Sequence, residues 1–151
     1  MAHEEPTRKL QQAAERLAAA ARTAPAEAAR HLTTVQEQIE AIGRGDFDAV
    51  LRQAHPDVEL QILAPPELPF IRSARGPAEL RRAIEANFGA LTNQQPEVTN
   101  VLVQDDLVVM FGTERGQVRR TGAPYHIEFV HRFAFEGTAL RSIRIIAARV
   151  P

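Results

Sequence analysis

The residue best placed to do chemistry in this 151-residue chain is His131. It lies in Thr121–Phe135, TGAPYHIEFVHRFAF, where a Thr-Gly-Ala-Pro turn signal leads into a long run of strand-forming residues. Strand side chains alternate, so Ile127, Phe129, His131 and Phe133 share one side, and His126, Glu128, Val130 and Arg132 share the other. Desolvation keeps an imidazole in an apolar wall neutral. A neutral imidazole accepts a proton from an acidic C–H or hydrogen-bonds a ligand carbonyl. The competing assignment is a core histidine satisfied by a backbone carbonyl or by Tyr125. His126, Glu128 and His131 together suggest a metal set. Alternation turns His131 away from the other two, and tetrahedral zinc needs convergent ligands, so no metal site is expected.

Two further candidates, Arg72 and Arg75, lie in the irregular stretch Ala64–Gly76, near Glu67. A guanidinium there can anchor a ligand carboxylate bidentately, although a surface arginine is more commonly a solvated charge. Ser73, Thr92, Thr99 and Thr113 do not form a Ser-His-acid order, and the nucleophile elbow is absent. No Gly-rich phosphate loop is present, and no cofactor is expected.

The elements that must position these residues follow from composition and periodicity. Hydrophobic residues at 44% and charged residues at 25% match an ordinary globular domain with a sizeable core. A net charge of -1 gives no bulk attraction for nucleic acid or a membrane surface, and neither partner is expected. The lack of cysteine excludes disulfides, thiolate metal ligands and a cysteine nucleophile. No apolar run reaches the roughly 18 to 20 residues that span a bilayer. MAHEEPTRKL lacks the apolar centre of a signal peptide, so a cytoplasmic location is the expectation.

Glu4–Arg22 reads as a helix with a narrow stripe of Leu10, Ala13, Ala14, Leu17 and Ala21, and with Glu4, Glu5 and Pro6 suited to its first turn. Residues 1–25 are read as a helical arm that packs on the domain or on a second copy, and residues 26–151 as the domain itself. A second helix runs from about Ala26 to Ile42 with a core stripe of Ala28, Leu32, Val35, Ile39 and Ile42. Asp46 caps a short third helix, and Val58–Leu63 is a first strand. Pro65, Pro66 and Pro69 keep the next stretch out of a central strand, while Leu68, Phe70 and Ile71 are apolar residues able to fold over a cavity mouth. A helix follows from Gly76 to about Leu91. Four strands come next: about Glu97–Val103, Leu107–Val118, Tyr125–Phe135 and Leu140–Ala148. Helices followed by adjacent strands predict α+β, a curved, mostly antiparallel sheet wrapped around helices, with a cone-shaped hollow between them.

This order of parts resembles the NTF2-like superfamily, nearest to its SnoaL-like and ketosteroid-isomerase-like branch. The resemblance is carried by Ile42-Gly43-Arg44-Gly45-Asp46-Phe47, His55-Pro56-Asp57-Val58-Glu59, Arg75-Gly76-Pro77, and Thr121-Gly122-Ala123-Pro124-Tyr125 with Phe129, Phe133, Phe135 and Gly137. It covers about Ala28–Ala148 and leaves the N-terminal arm outside. It implies a cone-shaped barrel and a homodimer formed through the sheet. Its catalytic positions carry over poorly. The tyrosine of the first long helix corresponds to Ile39, and the general-base aspartate to the region Gln61-Ile62-Leu63-Ala64. The strand asparagine corresponds to Ile127, and the last-strand glutamate to Ile145. An Asp-Arg-Asp set like that of the limonene-epoxide hydrolases cannot be assembled on inward positions.

Three functions are open on these residues. The first is a pocket for a small hydrophobic molecule, lined by Ile39, Ile62, Phe70, Phe88, Ile127, Phe129, Phe133 and Ile145. The second is an isomerase, cyclase or dehydratase that uses His131 with Arg72 or Arg75 as anchor. The third is a non-catalytic dimerisation module. Aliphatic residues at the proton-transfer positions favour the first and third.

Overall fold

The computed structural model describes residues 4–151, with side chains from Arg8 onward. The first-turn roles expected of Glu4, Glu5 and Pro6 concern side chains outside the described residues. Helix α1 spans Glu4–Thr23 and α2 spans Ala26–Gly43. Pro25 separates them at φ -54°, a value its ring fixes and a helix entry accepts. The Asp46 side chain accepts a 3.1 Å hydrogen bond from the Ala49 amide and so starts α3, Phe47–Val50. A single 3-10 turn, Leu51–Gln53, then leads into β1, Ala54–Leu63. Strand β2 is Ser73–Arg75 and α4 is Gly76–Gly89, with Pro77 in its first turn. Strands β3 (Leu91–Gln104), β4 (Leu107–Val118), β5 (Pro124–Glu136) and β6 (Ala139–Arg149) complete the chain.

The strands form one sheet in the order β2-β1-β6-β5-β4-β3. All pairs are antiparallel except β1 with β6. The fold is therefore α+β with a mostly antiparallel sheet, and β2 and β3 are its two open edges. Helices α1, α2 and α4 pack on one face, against β3, against β3 and β4, and against β1, respectively. That face and the helices share a main apolar core containing Leu17, Leu32, Val35, Val58, Leu80, Val108 and Leu140. Ala13, Ala14 and Leu17 of α1 are buried, so the arm is docked on the domain. No helix among the described residues is long and apolar enough to cross a membrane.

Boundaries differ from the sequence reading by more than one residue at three places. Strand β1 begins at Ala54, four residues before Val58. The proline-rich segment returns to the sheet as β2, pairing Ala74 with Leu60 across the edge of β1, too short a strand to carry an alternation signal. Helix α4 stops at Gly89, and Leu91 already belongs to β3. The early start of β3 was masked by Asn93 at φ 53°, by Pro96 and by two register shifts. All of these are tolerated because β3 is an edge strand.

Candidate functional site

The inner face of β4 and β5 is a ladder of unequal partners. Val108 pairs with Phe133, Met110 with His131, Gly112 with Phe129, Glu114 with Ile127 and Gly116 with Tyr125. Both glycines stand opposite aromatic rings. A Cβ on Gly112 would lie 2.6 Å from Phe129 Cζ and collide with the Glu97 carbonyl; one on Gly116 would lie 2.6 Å from the Tyr125 hydroxyl. The missing side chains let both rings lie flat across β4 and leave space between sheet and helices.

That space is a cavity of about 250 Å3. Helix residues Ile39 and Phe88 and loop residue Phe70 lie on its wall. So do Ile62 and Ile145, paired across β1 and β6, and Ile127, Phe129 and Phe133 of β5. Leu10 and Ala13 of α1 add a further side. The segment 64–72 folds over the sheet end, with Leu68 buried in a small cluster beside Leu91, Val118, Tyr125 and Ile127, whereas Ile71 is exposed. The Asn87 side chain fixes this segment, accepting from the Ile71 amide at 2.7 Å and donating to its carbonyl at 3.0 Å.

His131 lies on the cavity wall between Phe129 and Phe133, with ring centroids 4.6 and 6.3 Å away. Desolvation lowers its pKa to about 4, so the ring is neutral at physiological pH. The ring is half-buried and lines the cavity, flanked by Phe129 and Phe133, and desolvation governs it. Tyr125 does not satisfy it, because the Tyr125 hydroxyl donates a 2.7 Å hydrogen bond to Glu114 Oε2.

Glu114 is the residue that sequence reasoning missed. It lines the cavity, and burial pushes its carboxyl above the ordinary carboxylate range, while hydrogen bonds from Tyr125 and Gln94 pull it back. Burial, and then the neighbouring carboxylate, push the Tyr125 hydroxyl upward. The signal was available: Val108, Met110, Gly112, Glu114, Gly116 and Val118 share one parity, and a single carboxylate interrupts that otherwise apolar or glycine stripe.

Arg72 and Arg75 are not on the cavity wall. The Arg72 guanidinium donates to the carbonyls of Ala64, Pro65 and Leu68 at 2.8, 2.9 and 3.1 Å and so pins the proline-rich loop. Arg75 is 83% exposed and faces Glu59 at 3.8 Å. The ligand-anchor role expected of these two is thus corrected to loop pinning and a surface ion pair. No cation from either Lys or Arg lines the cavity among the described residues. His126 and Glu128 sit on the opposite sheet face from His131, and the three do not converge.

The SnoaL-like domain model matches residues 35–142, most of the chain. The chain belongs to the SnoaL-like domain family. Solved structures agree with this SnoaL-like, NTF2-like assignment at the level of the fold. An NTF2-like protein from Burkholderia xenovorans LB400 is 22% identical, with a TM-score of 0.66, covering 79% of this chain and 89% of that one. TerC, crystallised with polyporic acid, is 20% identical with a TM-score of 0.63, covering 79% and 92%. A putative SnoaL-like polyketide cyclase from Jannaschia sp. CCS1 is 14% identical with a TM-score of 0.67, covering 82% and 89%. No curated protein sequence matches the chain. The SnoaL-like match begins within α2, so Leu10 and Ala13 bring to the cavity a wall from outside the matched region.

Proposed function

We propose that this SnoaL-like protein binds a small, uncharged, largely apolar molecule between its helices and its sheet. The observation that carries this reading is the cavity of about 250 Å3 with aliphatic and aromatic walls. An apolar cavity of about 150 Å3 admits a benzene ring, so this one suits a molecule of one or two rings. The ligand is uncharged, because no guanidinium or ammonium among the described residues lines the cavity, and Glu114 repels anions when ionised and offers an O–H when protonated. A carbonyl or hydroxyl on the ligand meets Glu114 and Gln94 at one end or His131 further along. A crystal structure of the protein soaked with 2-naphthol tests this: density for the ring against Phe129 is expected, and an unoccupied cavity at saturating 2-naphthol counts against it.

One observation favours a second reading, an isomerase-, cyclase- or dehydratase-type enzyme: a neutral imidazole faces the cavity with only desolvation acting on it. Its reach is limited. Met110, the partner of His131, is four residues from Glu114 along β4, roughly 14 Å at ~3.4 Å per residue. One small carbonyl group therefore cannot use His131 as base and Glu114 as acid in a single step. Proton–deuterium exchange at C1 of 2-tetralone separates the readings: acceleration that is lost in His131→Gln supports catalysis, and exchange at the buffer rate supports binding alone.

The outer sheet face supports a homodimer. Phe111, Val130, Ile146 and Leu63 align in one row across four strands, and Leu63 and Ile146 are 44% and 45% exposed. Glu128 flanks the row on one side, with Arg132 and Arg144 on the other. A two-fold axis along the row sets each Glu128 opposite the other copy's Arg132. The buried Arg144 Nε has no hydrogen-bond partner among the described residues. Sedimentation of Ile146→Glu is expected to show a monomer where the parent chain shows a dimer; identical sedimentation of the two removes this interface.

A further inference from the structure

Far from the cavity, the hairpin joining β3 to β4 meets the start of α2. Glu27 and His31 are one helical turn apart on α2, so their side chains share a face. Asp106 reaches them from the hairpin turn, where Asp105 adopts φ 51° and the Asp106 carbonyl accepts a 2.9 Å hydrogen bond from the Phe135 amide. The donor atoms of Glu27, His31 and Asp106 all lie within 4.8 Å of one another. Two exposed carboxylates near a histidine are common on protein surfaces. This histidine is different in how it is held.

His31 is 2% exposed, and its ring stacks on Phe135 with centroids 4.2 Å apart and planes 16° apart. The stack fixes the ring plane and directs Nε2 out of the core, to 3.3 Å from Asp106 Oδ1. A charge-assisted hydrogen bond closes to about 2.7–2.9 Å. Ligands bonded to zinc at about 2.0–2.1 Å in a tetrahedron stand roughly 3.3–3.4 Å apart, which is the spacing of His31 Nε2 and Asp106 Oδ1, with Glu27 inside the same 4.8 Å cluster.

We propose that Glu27, His31 and Asp106 form a binding site for a divalent transition-metal ion of the Zn2+ type. His31 Nε2 supplies the nitrogen ligand, Glu27 and Asp106 supply one oxygen each, and water takes the fourth position. The two carboxylates balance the charge of the ion. Imidazole with carboxylate selects Zn2+ over Mg2+ or Ca2+, which prefer oxygen ligands alone. Metal bound there ties the tip of the β3–β4 hairpin to α2, two elements otherwise in contact through few residues. None of its members lines the cavity, so it is independent of the small-molecule reading.

The test uses the full chain without a histidine tag, stripped of metal by a chelator and dialysed. CoCl2 is titrated while d–d absorption is followed, and ZnCl2 is then used to displace it. One equivalent per chain, displacement by Zn2+ but not by Mg2+, and a melting temperature raised by about 5 °C or more at a hundredfold excess over Kd are expected. Asp106→Asn and Glu27→Gln, both at exposed positions, should each weaken binding by at least about tenfold. His31→Phe keeps a ring to stack on Phe135 and should abolish binding. Affinity unchanged in Asp106→Asn and Glu27→Gln overturns the proposal, even if His31→Phe fails to fold. So does a Co2+ spectrum that never develops in the parent chain.

Discussion

Tyr125 donates a 2.7 Å hydrogen bond to Glu114 across the β4–β5 ladder, and the ring crosses β4 over the bare backbone of Gly116, its register partner. A glycine in mid-strand is ordinarily a cost of about 0.5–1 kcal/mol. Here it makes room for the Tyr125 ring and its hydrogen bond to Glu114, a carboxylate on the cavity wall.

Gly116→Ala follows directly. The added methyl would meet Tyr125 Oη at 2.6 Å, so the ring must move and release Glu114. Destabilisation of about 1–3 kcal/mol is expected from overpacking, read by urea unfolding. Tyr125→Phe, which removes only the hydroxyl, should cost about 1 kcal/mol. If Gly116→Ala gains stability, the close approach of ring and backbone is wrong.

Glu114→Gln should stabilise the protein at neutral pH. Burial raises the folded-state pKa of Glu114 above 4.5. A raised carboxyl pKa gives stability that is complete below the unfolded value and is lost as pH rises through the folded value. Glutamine mimics the protonated form, so its advantage should be absent below about pH 4.5 and grow toward neutrality. Melting curves of both proteins from pH 4 to 8 measure this; parallel curves would refute a buried carboxyl.

His131 gives the opposite slope. Its pKa falls from 6.5 unfolded to about 4 folded. The unfolded chain protonates first, so stability is full above pH 6.5 and declines as pH drops toward 4. Between pH 6.5 and pH 5 the loss is about 2 kcal/mol at 1.36 kcal/mol per unit. His131→Gln should lose none of it. Equal acid sensitivity of the two proteins would mean that the imidazole is hydrated.

Helix α1 should affect ligand affinity although it lies outside the matched family region. Leu10→Ala strips apolar contact from the cavity wall. At about 25 cal/mol per Å2 over some 40 Å2, it should weaken 2-naphthol binding by about fivefold. An unchanged dissociation constant would show that the ligand does not touch α1.

The sequence made the fold legible where alternation and helical periodicity ran uninterrupted. Leu107–Val118 was read with the bounds the structure gives β4, and His131 was assigned to the same strand face as Phe129 and Phe133. Strand β2 was invisible because three residues carry no period, and the start of β3 was hidden by Asn93 and Pro96. Glu114 was passed over for a physical reason. An inward carboxylate violates the pattern by which inward faces are recognised, so it reads as noise in a strand until Gly112 and Gly116 are seen to share its side. Arg72 shows the converse: an arginine among prolines resembles a ligand anchor, but the loop carbonyls that proline leaves unpaired claim it first.

The proposed function turns on whether the cavity takes an uncharged apolar molecule. Fluorescence titration at pH 7 with 2-naphthol and with the 2-naphthoate anion, on the parent chain and on Ala147→Phe, measures this directly. Ala147 lies on the cavity wall beside Phe129, so phenylalanine there fills the space. Saturable one-to-one binding of 2-naphthol is predicted, at least about tenfold tighter than 2-naphthoate and lost in Ala147→Phe. Equal affinity for naphthol and naphthoate, or binding that survives Ala147→Phe, would contradict it.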